Sequence, residues 1–513
     1  MSLVDNFIFK QKFGYGGITP DRCKSLRIER TSTSNILSWR DPEDTYIEDK
    51  LLCSWAKTVI VRKTGSYPMS VVDGKVVLEN TVRDKYANGY TDSDFAVGES
   101  PTDFYYRAFP VADTGATGVN SANDFVECII YGFKRAKNDS APSTRVHPTD
   151  DAIGMVPAYM DFGNDTFNYG SWADTFIMDA FTPGMLTPDG TFKELDKNDH
   201  AKYVDGTDAP IADDTQLANA MVRVKKMWLS RSEDDSFEYF RVSNLKADDS
   251  FEPVGFHDKN GNEVDYMYIS MFKGSVSGGR LRSLASKTVT SANTSGAEKN
   301  YAQANGENWN RRTIAQRCLI NDLLVLISMN SNTQASFGKG VCGNSNANSV
   351  GYCVKTGTLI KKGMFYGSSG TTSDVKVFFI ENWWGNQWDR IDGVIAKDNV
   401  LYVKEHAPYD DAGADGYKNT GIALTGTSGG YISKMAASVV GFLPKQASGS
   451  GTTYECDGMW FSSGTKVVLV GAAVSDDAAL PGASAFAAAD DASSSNWNLG
   501  ASLSYVPLAE QAA

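Results

Sequence analysis

The chain has 513 residues, of which 42% are hydrophobic, and a formal net charge of −13. That length exceeds what one core organises and predicts two or three domains; the apolar fraction excludes a disordered chain. The acidity argues against a nucleic-acid-binding surface, which concentrates Lys and Arg, and no window approaches the roughly 20 apolar residues of a membrane span.

Cysteine and histidine usage narrows the chemistry. Cys23, Cys53, Cys128, Cys318, Cys342, Cys353 and Cys456 are scattered, odd in number and form no C-x-x-C. Reduced thiols are expected, with Cys342 and Cys353 the one pair close enough along the chain to bridge. His147, His200, His257 and His406 show no metal-ligand spacing. The 47 glycines, together with abundant Ser, Thr, Asn and Asp, predict a turn-dense, mostly β chain.

Residues 1–20 carry Phe7, Phe9, Phe13 and Tyr15 ahead of Gly16-Gly17. An aromatic terminus of this kind predicts either an arm that docks on a partner or a strand added to the next domain. It lacks a basic region followed by an apolar core, so no secretory signal is expected and synthesis is cytoplasmic. From 21 to 137 short strand patterns recur. They include the Leu26-Ile28 alternation, the 35–39 run ending in Trp39, Val59-Ile60-Val61, the 75–78 run after Asp73-Gly74, and the 104–109 and 125–131 runs. Such spacing predicts a β-sandwich. Residues 138–150, with Pro142 and Pro148 and no apolar period, read as a linker.

Beyond it, the stretches 220–230, 237–242, 263–272, 400–404, 458–461, 465–470 and 496–505 read as strands. Residues 298–303 read as a short polar helix. Over 310–328, Ile320, Leu323, Leu324 and Ile327 at i, i+3, i+4 and i+7 predict a longer helix with one apolar face and Arg311, Arg312 and Asn321 on the other. Two segments, 331–376 and 405–455, read as long turn-rich loops.

The densest stretch is 378–393. Phe378, Phe379 and Ile380 suit a buried strand, Gly385-Asn386 a turn, and Asp389 and Asp392 follow with Gly393. On composition the tryptophans Trp383, Trp384 and Trp388 are core and the aspartates stabilise a turn. The pattern G-N-x-W-x-x-x-D-G, at Gly385, Asn386, Trp388, Asp392 and Gly393, resembles the signature of the formylglycine-generating-enzyme branch of the C-type lectin fold, a branch found in many bacteriophage virion proteins. Further pieces occur in that family's order: the 183–191 and 216–228 stretches, Asp265-Tyr266, Arg280 to Ser283, Gly306 to Trp309 and the 494–505 segment. The first domain resembles a fibronectin type III module, with Trp39 late in its second strand.

The resemblance implies a mostly β protein: an arm at 1–20 for virion attachment, a fibronectin type III-like sandwich at 21–137, a linker at 138–150, and an elaborated C-type lectin-like α+β domain at 151–513 with loop insertions at 331–376 and 405–455. Trp384, Gly385, Asn386, Trp388, Asp392 and Gly393 are then scaffold. Trp383, Asp389 and Asp392 are the candidate ligand or ion contacts, with calcium as the ion because hard cations take oxygen ligands. The implied function is a virion component, a tail or fibre protein that displays a receptor-binding surface. Its partners would be other virion proteins and a host cell-surface protein or glycan, without nucleic acid or membrane insertion. A homotrimer is the family habit, although no heptad repeat supports it. The alternative is a capsid-decorating or baseplate building block. A formylglycine-generating oxidase is the third reading; it needs two cysteines gripping a soft metal, for which only Cys342 and Cys353 qualify. No catalytic constellation stands out.

Overall fold

The computed structural model describes residues 19–47, 50–117, 122–414 and 416–509. The expected N-terminal arm therefore falls almost wholly outside the described residues. The chain is mostly β, with 38% strand against 8% helix, as its turn density predicts. It divides into two compact units, one formed by 1–129 with 245–247, the other by 130–244 with 248–513.

The first unit contains two four-stranded sheets. One runs Val126–Glu127, Lys24–Arg30, Asn35–Arg40, Tyr90–Asp92; the other runs Lys75–Asn80, Trp55–Thr64, Phe104–Ala112, Asn123–Asp124. Ile28, Leu37 and Trp39 from the first sheet meet Ile60, Phe104, Tyr106 and Ala108 from the second in one core. The alternation seen in the sequence thus points one face of each sheet inward. Trp39 is buried, and its indole N–H donates to Asp41 at 2.9 Å.

The unit ends at 129 rather than 137. Ile130–Ala136, expected as the last part of the sandwich, lies between Val146–Asp150 and Phe237–Ser243 in a sheet of the second unit. The expected linker at 138–150 is accordingly structural. Arg145 within it is buried and pairs with Glu455 at 2.7 Å, while Arg135 pairs with Glu238 at 2.5 Å and Glu455 at 2.9 Å. Prolines suggested a linker, but Pro148 sits within the strand Val146–Asp150, opposite Phe133.

In the second unit a six-stranded sheet has the order Phe192–Glu194, Phe181–Leu186, Asn219–Lys225, Tyr266–Ser270, Leu503–Tyr505, Trp309–Arg311. The strand near the chain's end is inserted between two others, so residues some 200 positions apart close one layer. A ten-stranded sheet has Trp388–Lys397 and Thr465–Val470 near its middle. The segment 405–455, expected as a loop, supplies outer strands on both sides: Lys418–Ala423 at one edge and the hairpin Gly430–Ser438 with Gly441–Gly449 toward the other. The segment 331–376 is mostly irregular but not a free loop: Phe337, Val341, Leu359, Phe365 and Val375 are buried.

The long helix begins at Ile314, not 310, because Thr313 caps it: its side chain accepts from Gln316 N–H while Gln316 reaches back to the Thr313 N–H. Arg311 belongs to a strand and Arg312 to the turn before the cap. Every residue of Ile314–Ser328 except Asn321 is buried, so it is not a helix with one wet face. It is enclosed by neighbouring strands, which is why polar Gln316, Arg317 and Asp322 are internal.

Candidate functional site: a tryptophan-lined cleft

The 378–393 stretch folds as a chain of tight reversals. Val377 pairs with Ile380 across a two-residue turn whose residues, Phe378 and Phe379, both have positive φ, at 47° and 66°. Bulky residues avoid this region, so of the expected strand through 378–380 Phe378 and Phe379 form a turn and Ile380 alone is in a strand. Burial offsets the strain: both rings are inside, and Phe378 stacks on Phe181 at 4.3 Å.

Gly385, at φ 78°, has no room for a side chain: a Cβ there would lie 2.8 Å from the Val341 nitrogen. Asn386 mimics a strand edge, donating to the Val354 carbonyl at 3.0 Å and accepting from the Val354 N–H at 2.8 Å. This pins the irregular 331–376 wall. Trp383 and Trp384 are buried, their indole N–H groups donating to Asn321 at 2.8 Å and to the Gly338 carbonyl at 3.1 Å. Both are core, as composition predicts.

The two aspartates face inward. Asp392 takes a forked bond from Arg311, at 2.7 Å from Nη2 and 3.2 Å from Nε, and accepts the Arg311 backbone N–H at 3.2 Å. Asp389 accepts from Arg312 at 3.0 Å and from the Ser502 hydroxyl at 2.9 Å, with Lys273 at 3.5 Å. Between them Arg390 pairs with Glu298 at 2.8 Å. Burial pulls the Lys273 ammonium down to about 8, against the opposing attraction of Asp389. At Gly393 the strand register shifts, a Cβ would lie 2.6 Å from the Lys404 carbonyl, and Asp392 bridges to Thr313 ahead of the helix.

Asp389 and Asp392 are therefore neither ligand contacts nor turn stabilisers; they are the carboxylate halves of buried ion pairs that lock the strand to the helix entry. With their oxygens taken by guanidinium and hydroxyl donors, the pair does not fit calcium. Among the described residues no three His, Cys, Asp or Glu side chains converge to hold a metal. Cys342 and Cys353 are free thiols, each raised by burial to about 11, and their S–H groups point to different carbonyls, those of Gly340 and Asn386. They are not a matched pair of thiolates.

Trp388, expected as core, is buried at 6% exposure and packs beneath a surface hollow. Trp388 opens the Trp388–Lys397 strand, and its indole meets that of Trp460 at 5.4 Å with planes at 88°. The two rings form the corner of a cleft of about 210 Å³. Trp388, Leu469, Ala487 and Trp460 come from four adjacent strands, in the order Trp388–Lys397, Thr465–Val470, Phe486–Asp490, Gly458–Phe461. Alternation along Phe486–Asp490 puts Ala487 and Ala489 on one face, and their small side chains leave the hollow.

The rim is polar: Asp476, Asp490, Asn496 and Asn498. Asp476 accepts the Trp388 indole N–H and the Ala473 N–H at 2.7 Å, which fixes the Trp388 ring. Burial raises this carboxyl above the usual range, and those two hydrogen bonds oppose the shift. Asn498 accepts the Trp388 backbone N–H on its own carbonyl at 3.0 Å, while its side-chain Oδ1 is buried with no donor among the described residues.

The motif thus supplied Trp388 but not its partners. Trp460 sits in a run legible only as a strand. Its place beside Trp388 depends on a sheet order that joins Met459 to Phe486 and Leu469 to Ala487. A second surface hollow, of about 620 Å³, is bounded by His257, Glu405, His406 and Lys418. There His257 Nδ1 and Glu405 lie 2.7 Å apart.

No family model matches the sequence, and no curated protein matches it. Among the described residues no helix is long and apolar enough to cross a membrane.

Proposed function

We propose that the chain is a bacteriophage virion component, a tail or fibre protein whose second unit presents a receptor-binding surface, and that this surface is centred on the Trp388–Trp460 cleft. The observation that carries the reading is the hollow itself: Asp389 and Asp392 are sealed in ion pairs, while the half-buried Trp460, packed edge-to-face on the buried Trp388, lines an open hollow on the same sheet. A rigid scaffold holding aromatic side chains at a surface suits recognition. The ordered motif pieces support a C-type lectin-like unit of the formylglycine-generating-enzyme branch. The two-sheet order of the first unit supports a fibronectin type III-like spacer. The buried Cys342 thiol and the half-buried Cys353 thiol, turned to different carbonyls, speak against the oxidase reading.

The test is immuno-electron microscopy with antibodies raised against the purified chain, applied to phage particles whose genomes encode it. Labelled tail or fibre tips, with adsorption to bacteria blocked by the antibody, support the proposal. Label on capsid or baseplate positions with adsorption unaffected makes the protein a building block, and unlabelled particles remove it from the virion.

A further inference from the structure

From Val146 to Phe192 the sequence holds seven aspartates and no lysine or arginine, although the chain has 49 Lys and Arg elsewhere. The same stretch carries Ile153, Val156 and Tyr159, exposed at 70%, 55% and 44%. Among the described residues, the other exposed large apolar side chains of the second unit, Val204, Leu217, Val276, Tyr352 and Val439, stand singly along the chain. Single exposed apolar residues are ordinary, whereas a group of them marks a contact surface.

The loop that presents the group is held firmly. The Val156 N–H donates to Ser171 Oγ at 2.9 Å, and the Ser171 N–H returns a bond to the Val156 carbonyl at 3.1 Å. Ala158 is buried, and its N–H donates to the Ile327 carbonyl of the long helix at 2.7 Å. Gly170 lies so close that a Cβ there would sit 2.2 Å from the Val156 oxygen. A surface already fixed in this way loses little conformational entropy when a partner binds.

The rim is uniformly acidic. Asp150 and Asp151 precede Ile153, and Asp161 ends the Tyr159–Asp161 strand on the side that Tyr159 faces. Asp174 follows the Ser171 that holds the loop. Asp165 is neutralised by Lys362 at 2.9 Å. Asp150, Asp151, Asp161 and Asp174 form no ion pair among the described residues. This charge selects the occupant. A second copy in a two-fold contact would set the same acidic rim against itself, on a chain of net charge −13. A nucleic acid or an anionic lipid surface carries the wrong sign as well. A protein surface with an apolar pocket edged by Lys and Arg satisfies both features, because burial of the apolar side chains drives association and charge steers it.

We propose that this surface docks a basic protein partner, whose apolar pocket takes Ile153, Val156 and Tyr159 and whose Lys or Arg side chains face Asp150, Asp151, Asp161 and Asp174. The proposal stands whether or not the hollow lined by Trp460 binds a receptor.

The experiment is fluorescence anisotropy on the full chain with labelled peptides of alternating leucine and lysine, of alternating serine and lysine, and of alternating leucine and glutamate. The leucine–lysine peptide is expected to bind most tightly. Its affinity falls on the order of tenfold in I153S/V156S, the loss of two apolar anchors. In D151N/D174N it falls on the order of threefold, with a weaker dependence on salt. All four side chains are exposed, so both variants keep the wild-type melting temperature. Equal binding of the serine–lysine peptide, tighter binding of the leucine–glutamate peptide, affinity unchanged in either variant, or no binding at all overturns the proposal. Sedimentation velocity of the chain alone tests the competing occupant. Self-association that I153S/V156S abolishes assigns the surface to a second copy and overturns the basic partner; a monomer, or an oligomer that the variant keeps, supports it.

Discussion

Asp392 shows how a residue that looks like a ligand becomes structure. The Asp392 side chain, at 4% exposure, is met by Arg311 through two guanidinium nitrogens and a backbone N–H. Replacing it with Asn keeps the shape but leaves the Arg311 guanidinium buried and short of a counter-charge. Breaking such a pair from one side typically costs about 3–5 kcal/mol. D392N is therefore expected to lower the urea midpoint by far more than N498A at the cleft rim, whose side chain bonds nothing among the described residues. Equal midpoints for the two variants would mean that the pair contributes little.

The same residue marks what a sequence conceals: G-N-x-W-x-x-x-D-G announces reversals and a carboxylate, and Gly385 and Asn386 take the left-handed backbone it implies. It does not announce that Arg311 and Arg312, about 80 positions earlier, wait on the other side.

At the scale of elements, periodicity located strands and helices well and their surroundings poorly. The apolar positions of Ile314–Ser328 were visible, but a helix enclosed on all sides reads like an amphipathic one when its polar residues are internally paired. The hairpin at 376–381 was hidden for a different reason: two phenylalanines carry a turn that Gly or Asn would normally form.

Contacts between elements also set a pH dependence. His257, beside the Val254-containing turn, bonds Glu405 at the end of the Val400–Val403 strand. The Glu405 hydrogen bond raises the His257 imidazole, with Glu263 and Glu252 adding in the same sense. Burial works against the Glu405 carboxylate, yet His257, the Gly255 N–H and His406 hold it below its usual range. A raised histidine stabilises fully below its unfolded value of about 6.5, and the benefit is lost as pH rises through the folded value. A depressed glutamate stabilises above its unfolded value of about 4.3, and that benefit is lost as pH falls through the folded value. The melting-temperature gap between wild type and H257Q is therefore expected to be widest between those two values, worth on the order of 1 kcal/mol, and to shrink toward pH 8. A gap that grows as pH rises from about 6.5 toward 8 would contradict the pairing.

For the whole molecule, the division of the chain is the decisive feature. Composition placed a linker at 138–150, because prolines and polar residues there lack an apolar period. The structure uses that stretch to carry Arg145 to Glu455 and to cover Ile130–Ala136. A chain starting at 151 loses two strands of a four-stranded sheet and strands Glu238 and Glu455 without Arg135 and Arg145. It is expected to be insoluble or to unfold without a cooperative transition, whereas a chain starting at 130 unfolds cooperatively in urea. Cooperative unfolding of the 151–513 chain would show that the second unit is organised otherwise.

In the proposed reading the 378–393 motif builds the scaffold, and recognition falls on the hollow that Trp460 lines. The chain has ten tryptophans, and fluorine NMR of protein labelled with 5-fluorotryptophan, each signal assigned by a Trp→Phe variant, reads them separately. Addition of cell-envelope material from bacteria to which the particle adsorbs is expected to move the Trp388 and Trp460 signals and leave those of Trp383 and Trp384 in place. Movement of Trp383 or Trp384 with Trp388 and Trp460 unmoved, or no movement at any tryptophan, would contradict it.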